Sequence, residues 1–395
     1  MKEIIEEYGI KYWTTTPPIK CEFKRFPEDF IVEEIDNHGK KRTINYTLIE
    51  KIKDFFPKKQ KSKKEKYINF TLIKKNYTTQ RALEEISKRL NVSQTRFDYA
   101  GTKDKIAITS QSISAFKVNL SDLKKIKIKD ILMKNFSFSR KRLKLGDLKG
   151  NCFKIRLRES NAKKEVMKKF KEEIKKGLPN YFGPQRFGIQ RKTNYLVGRA
   201  MITDNYKKAI KIFLTQTGDE QKEVTNARKK LKKDWGRKGF ERALEEFPKY
   251  LNLERNVLKH LCRKQEDYLG AMKRIPRKLR LMFVHSVQSY LFNKCLSYYT
   301  WQDVPEYLPL IGYKSENIPE KMRFVLEEEK IKPSDFKTKL MPEMSLKGGE
   351  RKTIIKIKNF RYKIKRKDLI LEFCLDKGAY ATTIINELTK NLSEK

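Results

Sequence analysis

Residues 96–116, Arg-Phe-Asp-Tyr-Ala-Gly-Thr-Lys-Asp-Lys-Ile-Ala-Ile-Thr-Ser-Gln-Ser-Ile-Ser-Ala-Phe, contain the pattern from which we predict the fold class. A short segment at 96–100 and an alternating segment at 106–116 flank the turn Gly101-Thr102-Lys103. Alternation of apolar and polar side chains with a period of two is typical of β-strands. The stretch therefore predicts two strands joined by a tight turn.

Similar patterns extend in both directions along the chain. Residues 67–73 alternate like a strand, and Thr78 or Thr79 begins a predicted helix with one apolar face. Further strands are predicted at 22–26, 30–35, 140–146, 152–157, 354–357 and 369–375. Helices are predicted at 162–176, 207–214, 222–233, 237–246, 279–299 and 381–392. Strand-rich ends around a helical middle predict an α+β fold in which one domain interrupts another.

The charge balance points to a polyanionic partner. The 395 residues include 92 Lys and Arg against 49 Asp and Glu, a formal net charge of +43. Such an excess concentrates nucleic acid at a protein surface. A lysine-dense segment at 57–66 is predicted to be a solvated loop or a tether for the RNA backbone. Abundant Lys and Glu are also typical of proteins from hot habitats.

Several classes of protein are disfavoured by the sequence. No apolar run approaches the roughly 18 residues of a membrane-spanning helix, so no membrane association is expected. The five cysteines are scattered and only three histidines are present, so neither a zinc site nor a disulfide framework is expected. We therefore expect a soluble, reduced, cytoplasmic protein that is monomeric.

Two motifs could carry chemistry. Asp104 lies between Lys103 and Lys105, whose charges favour an ionised carboxylate that can act as a nucleophile or base. In a Gly-containing turn, an Asp more often serves local hydrogen bonding, so this signal is weak by itself. The segment 180–188, Asn-Tyr-Phe-Gly-Pro-Gln-Arg-Phe-Gly, offers rings to stack on a base, amides to hydrogen-bond it and an arginine for phosphate. The alternative is a loop whose aromatic rings are buried in the core.

Taken together, six stretches of the chain resemble the TruD family of tRNA pseudouridine synthases. The Gly-x-Lys-Asp and Asn-Tyr-Phe-Gly-x-Gln-Arg-Phe-Gly motifs are specific to that family, and the stretches occur in the family's order. They are residues 24–33 (Lys-Arg-Phe-Pro-Glu-Asp-Phe-Ile-Val-Glu), 100–111, 140–153, 180–188, 277–293 and 378–382.

The resemblance implies a pseudouridine synthase catalytic fold, an antiparallel sheet flanked by helices and interrupted by a mostly helical insertion. The implied catalytic domain comprises residues 1–204 and 353–395, and the implied insertion domain comprises residues 205–352. Members of the family isomerise uridine in tRNA, typically at position 13, and use neither a metal nor an organic cofactor. We therefore expect tRNA as the partner and a uridine as the substrate.

The resemblance also implies roles for individual residues. Asp104 matches the family's catalytic aspartate, and Lys24 matches its active-site lysine. Asn180 and Phe182 match positions that hold and stack the target nucleotide, and Tyr380 stands where many bacterial members carry Phe. The predicted substrate-binding set is completed by Gln185, Arg186 and Lys103. The sequence leaves open whether Asp104 attacks C1′ or removes the C2′ proton.

The sequence disfavours three alternative functions. A non-catalytic RNA-binding protein that retains the fold would carry the same charge, but it would be expected to lose at least one of Asp104, Lys24, Asn180 and Phe182. A methyltransferase needs a glycine-rich cofactor loop, for which 146–150 is a poor candidate and more typical of a turn. A metal-dependent nuclease needs a tight cluster of acidic residues and histidines, which the sequence does not suggest. The identity of the modified tRNAs is left open.

Overall fold

A computed structural model describes residues 9–56, 60, 62, 64–188 and 191–390. The chain forms two compact units. The first, here called the sheet unit, comprises residues 14–178 and 355–395, and the second, the helical unit, comprises residues 1–13 and 179–354. The predicted insertion, 205–352, lies within the helical unit, and its status as an insertion stays a prediction. Half of the lysine-dense segment 57–66, residues 57–59, 61 and 63, lies outside the described residues.

The strands confirm the predicted α+β class. In chain order they are β1 (Glu22–Phe23), β2 (Phe30–Asp36), β3 (Tyr67–Lys75), β4 (Phe97–Tyr99), β5 (Ile108–Phe116), β6 (Ile131–Ser139), β7 (Leu148–Arg158), β8 (Leu178–Pro179), β9 (Tyr307–Leu310), β10 (Gly349–Lys352), β11 (Ile354–Ile355), β12 (Lys358–Lys365) and β13 (Asp368–Asp376).

The sheet unit is built on one sheet with the strand order β12-β13-β7-β2-β5-β3-β6, to which β1 adds beside β7 and β4 beside β5. Neighbouring strands are antiparallel apart from β2 and β5, which are parallel with Ile31 opposite Ile108. The predicted strand–turn–strand pattern at 96–116 is confirmed as β4, a loop and β5. The parallel pair brings the segments that precede β2 and β5 to the same edge of the sheet, and this placement decides the geometry of the site.

The helices are α1 (Leu48–Phe55), α2 (Thr79–Leu90), α3 (Leu120–Lys125), α4 (Lys164–Glu173), α5 (Asn194–Ile202), α6 (Tyr206–Thr215), α7 (Lys222–Lys233), α8 (Arg237–Glu246), α9 (Asn252–Arg263), α10 (Tyr268–Lys273), α11 (Arg277–Ser297), α12 (Glu320–Glu328) and α13 (Ala381–Thr389). None of the helices in the described ranges is long and apolar enough to cross a membrane.

Helix α2 packs on strands β3 and β5, and Asp104 lies in the loop that precedes β5. Of the two threonines predicted to begin the helix, Thr78 is the cap, since its hydroxyl accepts a hydrogen bond from the backbone N–H of Arg81. Ala82, Leu83 and Ile86 are buried against strand residues that include Phe70, Leu72 and Ile113. Full burial of such a side chain contributes about 1.5–3 kcal/mol, so this face fixes β3 and β5 firmly beneath the loop between β4 and β5.

In the helical unit, α11 is the central element. Its buried side chains include Phe283, Val287, Leu291 and Cys295. Helices α5 to α10 and α12 contribute buried side chains to the same core. The predicted long helix at 279–299 is therefore confirmed, with bounds shifted by two residues at each end.

Three strand predictions need correction. The strand predicted at 22–26 ends at Phe23, because Lys24 adopts a left-handed conformation with φ 58°. The segment predicted as a strand at 140–146 is an irregular connection, whose amides at Lys141 and Lys144 donate to side chains of Ser139 and Asp147 instead of to a neighbouring strand. The strand predicted at 354–357 ends at Ile355, and the sheet instead gains β12.

Helix α1 was not predicted, because its polarity is reversed. Its acidic side chains point inward: Asp54 accepts hydrogen bonds from the backbone N–H groups of Asn135 and Phe136, and Glu50 pairs with the buried Lys134. Its apolar side chains, such as Phe55 at 86% exposure, point outward. An amphipathic pattern read in the usual sense would not place this helix on the sheet.

The structure also corrects the expectation for the cysteines. Cys152 in β7 and Cys374 in β13 lie directly opposite each other in the antiparallel pair and form a disulfide. Cys21, Cys262 and Cys295 are free thiols. The bonded pair is 222 residues apart in the sequence, so only the register of the sheet reveals it.

Candidate active site

Lys24 and Asp104 form an ion pair at one edge of the sheet. The Nζ atom of Lys24 lies 2.9 Å from Oδ2 of Asp104. The Asp104 side chain is 45% exposed, whereas that of Lys24 is 20% exposed. Because Lys24 precedes β2 and Asp104 precedes β5, the parallel pairing of these strands brings the two residues together. The carboxylate is thus held by one cation and open to solvent.

The segment that carries Lys24 is fixed by a buried carboxylate. Asp29 accepts a hydrogen bond of 2.9 Å from the backbone N–H of Phe26 and pairs with Arg158 at 2.9 Å. The Lys24 ammonium lies 3.8 Å from the centre of the Phe30 ring, a distance suited to a cation–π contact. Its left-handed backbone and these contacts set the direction in which the ammonium points.

The loop between β4 and β5 is held through its backbone. The carbonyl oxygen of Gly101 accepts from the side-chain amide of Gln111 at 3.1 Å, and the N–H of Lys103 donates to the Thr79 hydroxyl at 3.0 Å. That hydroxyl in turn donates to Gln111 at 2.9 Å. These bonds hold the backbone of the loop. The hydrogen bond described for the Asp104 side chain is the one from Lys24.

Lys103 faces into the sheet unit. Its Nζ atom lies 2.7 Å from the carboxylate of Glu34, and both side chains are almost completely buried. Glu34 also accepts a hydrogen bond from the backbone N–H of Ser112 in β5. The contacts of Lys103 therefore anchor the loop. Its predicted part in substrate binding stays a prediction.

Lys74 is a member of this site that sequence reasoning missed. It lies in β3, its side chain is fully buried, and its Nζ atom donates to the carbonyl oxygens of Tyr77 and Asp104 at 2.5 and 2.7 Å. The carbonyl oxygen of Lys103 lies at 3.5 Å. The only sequence signal is a pair of lysines, Lys74 and Lys75, after the alternating segment 67–73. Such a pair resembles an ordinary solvated strand end.

Tyr380 also belongs to the sheet unit. It occupies the position before α13, and 44% of its surface is exposed. The ring is therefore accessible to a stacking partner, as the resemblance implies. Its role in substrate binding stays a prediction.

Asn180 belongs to the helical unit, and contacts within that unit occupy its polar groups. Its side chain donates to the carbonyl oxygen of Lys352 at 2.9 Å and accepts from the Arg351 guanidinium at 2.7 Å. Its backbone N–H donates to Thr353 at 2.7 Å and its carbonyl accepts from Arg351 at 3.1 Å. Only 6% of Asn180 is exposed, so this residue is part of the unit's framework in the described state.

Phe182 is buried in the helical unit, which favours the second of the two readings of segment 180–188. Its backbone N–H and carbonyl exchange hydrogen bonds with the side chain of Asn293, and its ring meets Phe292 edge-on at 5.6 Å. The Arg351 guanidinium lies 4.0 Å from the ring centre, and Arg186 lies 5.2 Å from it. Tyr181 and Phe187 are also buried. Gln185, by contrast, is exposed.

Arg351 is the second residue that the sequence did not single out. It extends from β10 and joins Asn180 to the ring of Phe182. Among the described residues, no group of three or more His, Cys, Asp or Glu side chains is arranged to hold a metal ion. The chemistry that the sheet unit offers is that of a solvent-accessible carboxylate held by a lysine.

Comparison with known proteins identifies similar chains over nearly the whole sequence. The model of the family described as tRNA pseudouridine synthase D (TruD) matches residues 7–305 and 299–388. A Methanocaldococcus jannaschii protein named probable tRNA pseudouridine synthase D 1 is 35% identical over 383 residues, covering 92% of this chain and 94% of the relative. A Pyrococcus furiosus protein named probable tRNA pseudouridine synthase D is also 35% identical and covers 97% of this chain and 98% of its own.

A solved structure is similar as well. The crystal structure of a Methanosarcina mazei protein, named as a tRNA pseudouridine synthase D (TruD), superimposes with a TM-score of 0.79 at 30% identity. The superposition covers 98% of each chain. The similarity in fold thus extends over both units of the chain.

Proposed function

This chain belongs to the tRNA pseudouridine synthase D (TruD) family of enzymes that isomerise uridine in tRNA, and we propose that it acts on position 13 with Asp104 as the catalytic carboxylate. One observation carries the assignment of the carboxylate: the Lys24–Asp104 ion pair of 2.9 Å, formed by the two residues that match the family's catalytic pair. A carboxylate that is held and still 45% exposed is suited to approach a sugar carbon.

The reaction requires that the C1′–N1 bond of uridine break and that a C1′–C5 bond form. In one route an Asp104 oxygen attacks C1′ as uracil leaves with the electron pair on N1, and C5 of the turned uracil then displaces the carboxylate. In the other route Asp104 removes the C2′ proton and returns it after the new bond has formed. Loss of the C5 proton and protonation of N1 complete either route. Both routes use the same ionised carboxylate.

Lys24 is proposed to orient that carboxylate. Its ammonium is limited in movement by the Phe30 ring at 3.8 Å and by the fixed segment around Asp29. One carboxylate oxygen is thereby engaged, and the other is left for the nucleotide. Correct orientation of a reacting group contributes several kcal/mol to catalysis.

Asn180, Phe182, Tyr380, Gln185 and Arg186 are proposed to contact the target nucleotide, following the family pattern. In the helical unit, Arg351 occupies the Asn180 amide and covers the Phe182 ring. Use of these groups by a nucleotide therefore involves an exchange with Arg351. The guanidinium so released is a donor suited to a phosphate of the RNA.

The partner is proposed to be tRNA, bound by a monomer in the cytoplasm without a metal or organic cofactor. A net charge of +43 supplies the cations that neutralise backbone phosphates. Each neutralised phosphate of a single-stranded region contributes about −0.7 to the slope of log affinity against log salt. Flipping the target uridine out of its stack costs a few kcal/mol, which these contacts offset.

The test compares two in vitro transcribed tRNAs, one with uridine and one with cytidine at position 13. Pseudouridine is located by carbodiimide-block sequencing after incubation with the full chain. We expect one strong block at position 13 of the first transcript and none in the second. Modification at another uridine would support the pseudouridine synthase activity and contradict the assignment of position 13 as the target. Tight binding with no pseudouridine in any tRNA would instead establish a non-catalytic RNA-binding protein.

A further inference from the structure

The ammonium of Lys74 is placed directly beneath the loop that carries Asp104. Lys74 faces Thr109 across the β3–β5 pair, and its fully buried side chain reaches the loop from the sheet. Its Nζ atom lies 2.7 Å from the carbonyl oxygen of Asp104 and 3.5 Å from that of Lys103. A third acceptor, the carbonyl oxygen of Tyr77, lies at 2.5 Å. All of these acceptors are backbone groups.

This arrangement is unusual for a buried lysine. A buried ammonium is normally paired with a carboxylate, as Lys103 is with Glu34 and Lys134 is with Glu50. Lys74 instead donates to backbone carbonyl groups of two segments. One is Tyr77, just before α2, and the other is the loop that carries Asp104. A positive charge bound to carbonyl oxygens makes stronger hydrogen bonds than a neutral donor.

We propose that Lys74 is a positioning residue, whose protonated amine fixes the peptide groups of Lys103 and Asp104 so that the Asp104 carboxylate meets its target at the correct distance. The proposal rests on the proposed function, since it takes Asp104 as the reacting group. Lys74 acts through the backbone and leaves the carboxylate of Asp104 to Lys24 and the substrate.

The protonation of Lys74 is sensitive to pH near the physiological range. Burial lowers the pKa of Lys74 to about 8, against an opposing attraction from Asp104 and with a further lowering by Lys103. The other charged groups of the site are Lys24, bound to Asp104, and Glu34, bound to Lys103. Above this pKa the amine has lost its charge and one N–H, so the carbonyl groups are held less firmly.

The effect of Lys74 on stability distinguishes a fall in turnover caused by its deprotonation from one caused by unfolding. The pKa of Lys74 is lower in the folded chain than the ordinary 10.5, so between about pH 8 and 10.5 the unfolded chain binds the proton and the folded chain does not. Stability from this group therefore rises with pH across that window. A fall in turnover above pH 8 without a fall in thermal stability is the expected signature.

The test uses two neighbouring lysines in the full chain, Lys74→Met and Lys75→Met. Lys75 is the matched control, because its side chain is 41% exposed and pairs with Glu28 at the surface. Turnover at saturating tRNA is expected to fall roughly 100-fold in Lys74→Met, the effect of a reacting group displaced by about 1 Å. The tRNA dissociation constant is expected to stay within about twofold. Lys75→Met is expected to retain wild-type turnover.

The pH profile of wild-type turnover supplies a second readout that needs no variant. We expect turnover at saturating tRNA to fall with an apparent pKa near 8, with no fall in the thermal midpoint. We expect this alkaline limb to vanish in Lys74→Met. Wild-type turnover in Lys74→Met overturns the proposal. If that variant does not fold, a flat wild-type profile between pH 7 and 9.5 overturns it. Absence of pseudouridine in the wild type would instead defeat the proposed function, and the inference with it.

Discussion

The loop between β4 and β5 and the segment 180–188 are both tightly held, but in opposite ways. The loop is fixed through its backbone, by the side chains of Thr79, Gln111 and Lys74, and its carboxylate at Asp104 stays exposed. In the segment 180–188, the side chain of Asn180 makes the fixing contacts itself and is buried.

The difference shows that residues of a family motif can serve two roles, one in the reaction and one in the framework of the fold. A side chain that is exposed although its backbone is clamped is available for chemistry and is already positioned. A side chain whose donors and acceptors are occupied contributes first to the framework, and it meets a ligand only by exchanging a partner. Both regions carry family motifs, so the motif alone does not distinguish these roles.

Removal of the cation beside Asp104 is expected to have a large effect on the reaction rate. We expect Lys24→Met to lower the single-turnover rate on tRNA by about 100-fold, because the carboxylate loses the group that orients it. Arg25→Met is the matched control, since Arg25 is exposed and pairs with Glu22 at 3.1 Å. Equal rates for the two variants would show that the Lys24–Asp104 pair is not part of the catalytic geometry.

A smaller effect, on stability instead of rate, is expected in the second region. Arg351→Met removes the guanidinium that bonds the Asn180 side chain and its carbonyl group, and leaves these buried groups short of partners. We expect the free energy of unfolding in urea to fall by about 2 kcal/mol. Lys352→Met, whose side chain is 60% exposed, is the control and is expected to change it little. An unchanged unfolding curve for Arg351→Met would show that the contacts of Asn180 with Arg351 do not stabilise the segment 180–188.

Local patterns in the sequence predicted the elements around Asp104. Alternation at 96–116 and the apolar face after Thr78 identified β4, β5 and α2, because these signals lie within one segment of chain. The selection of Lys24 as a site residue came from the family resemblance alone. Its contact with Asp104, 80 positions away, depends on the parallel pairing of β2 with β5, which local patterns do not encode.

Long-range partners account for what the sequence did not reveal. The contacts of Asn180 with Arg351 span 171 positions, and the burial of Lys74 follows from the strands and loop packed around it. Helix α1 escaped prediction for a different reason, since its inward face is acidic and its outward face apolar. For Asn180 and Lys74 the missing information was the identity of the packing partner, and for α1 it was the direction in which the acidic face points.

The account is tested most directly by Asp104→Asn, with Asp130→Asn as the matched control in an exposed turn. Single-turnover pseudouridine formation, tRNA affinity and the thermal midpoint are measured for both variants. We predict that Asp104→Asn lowers the rate by at least about 1,000-fold, with affinity and midpoint unchanged, because only the reacting group is lost. Asp130→Asn is predicted to match the wild type. An Asp104→Asn protein that retains a rate close to that of the wild type would contradict the assignment of the catalytic carboxylate.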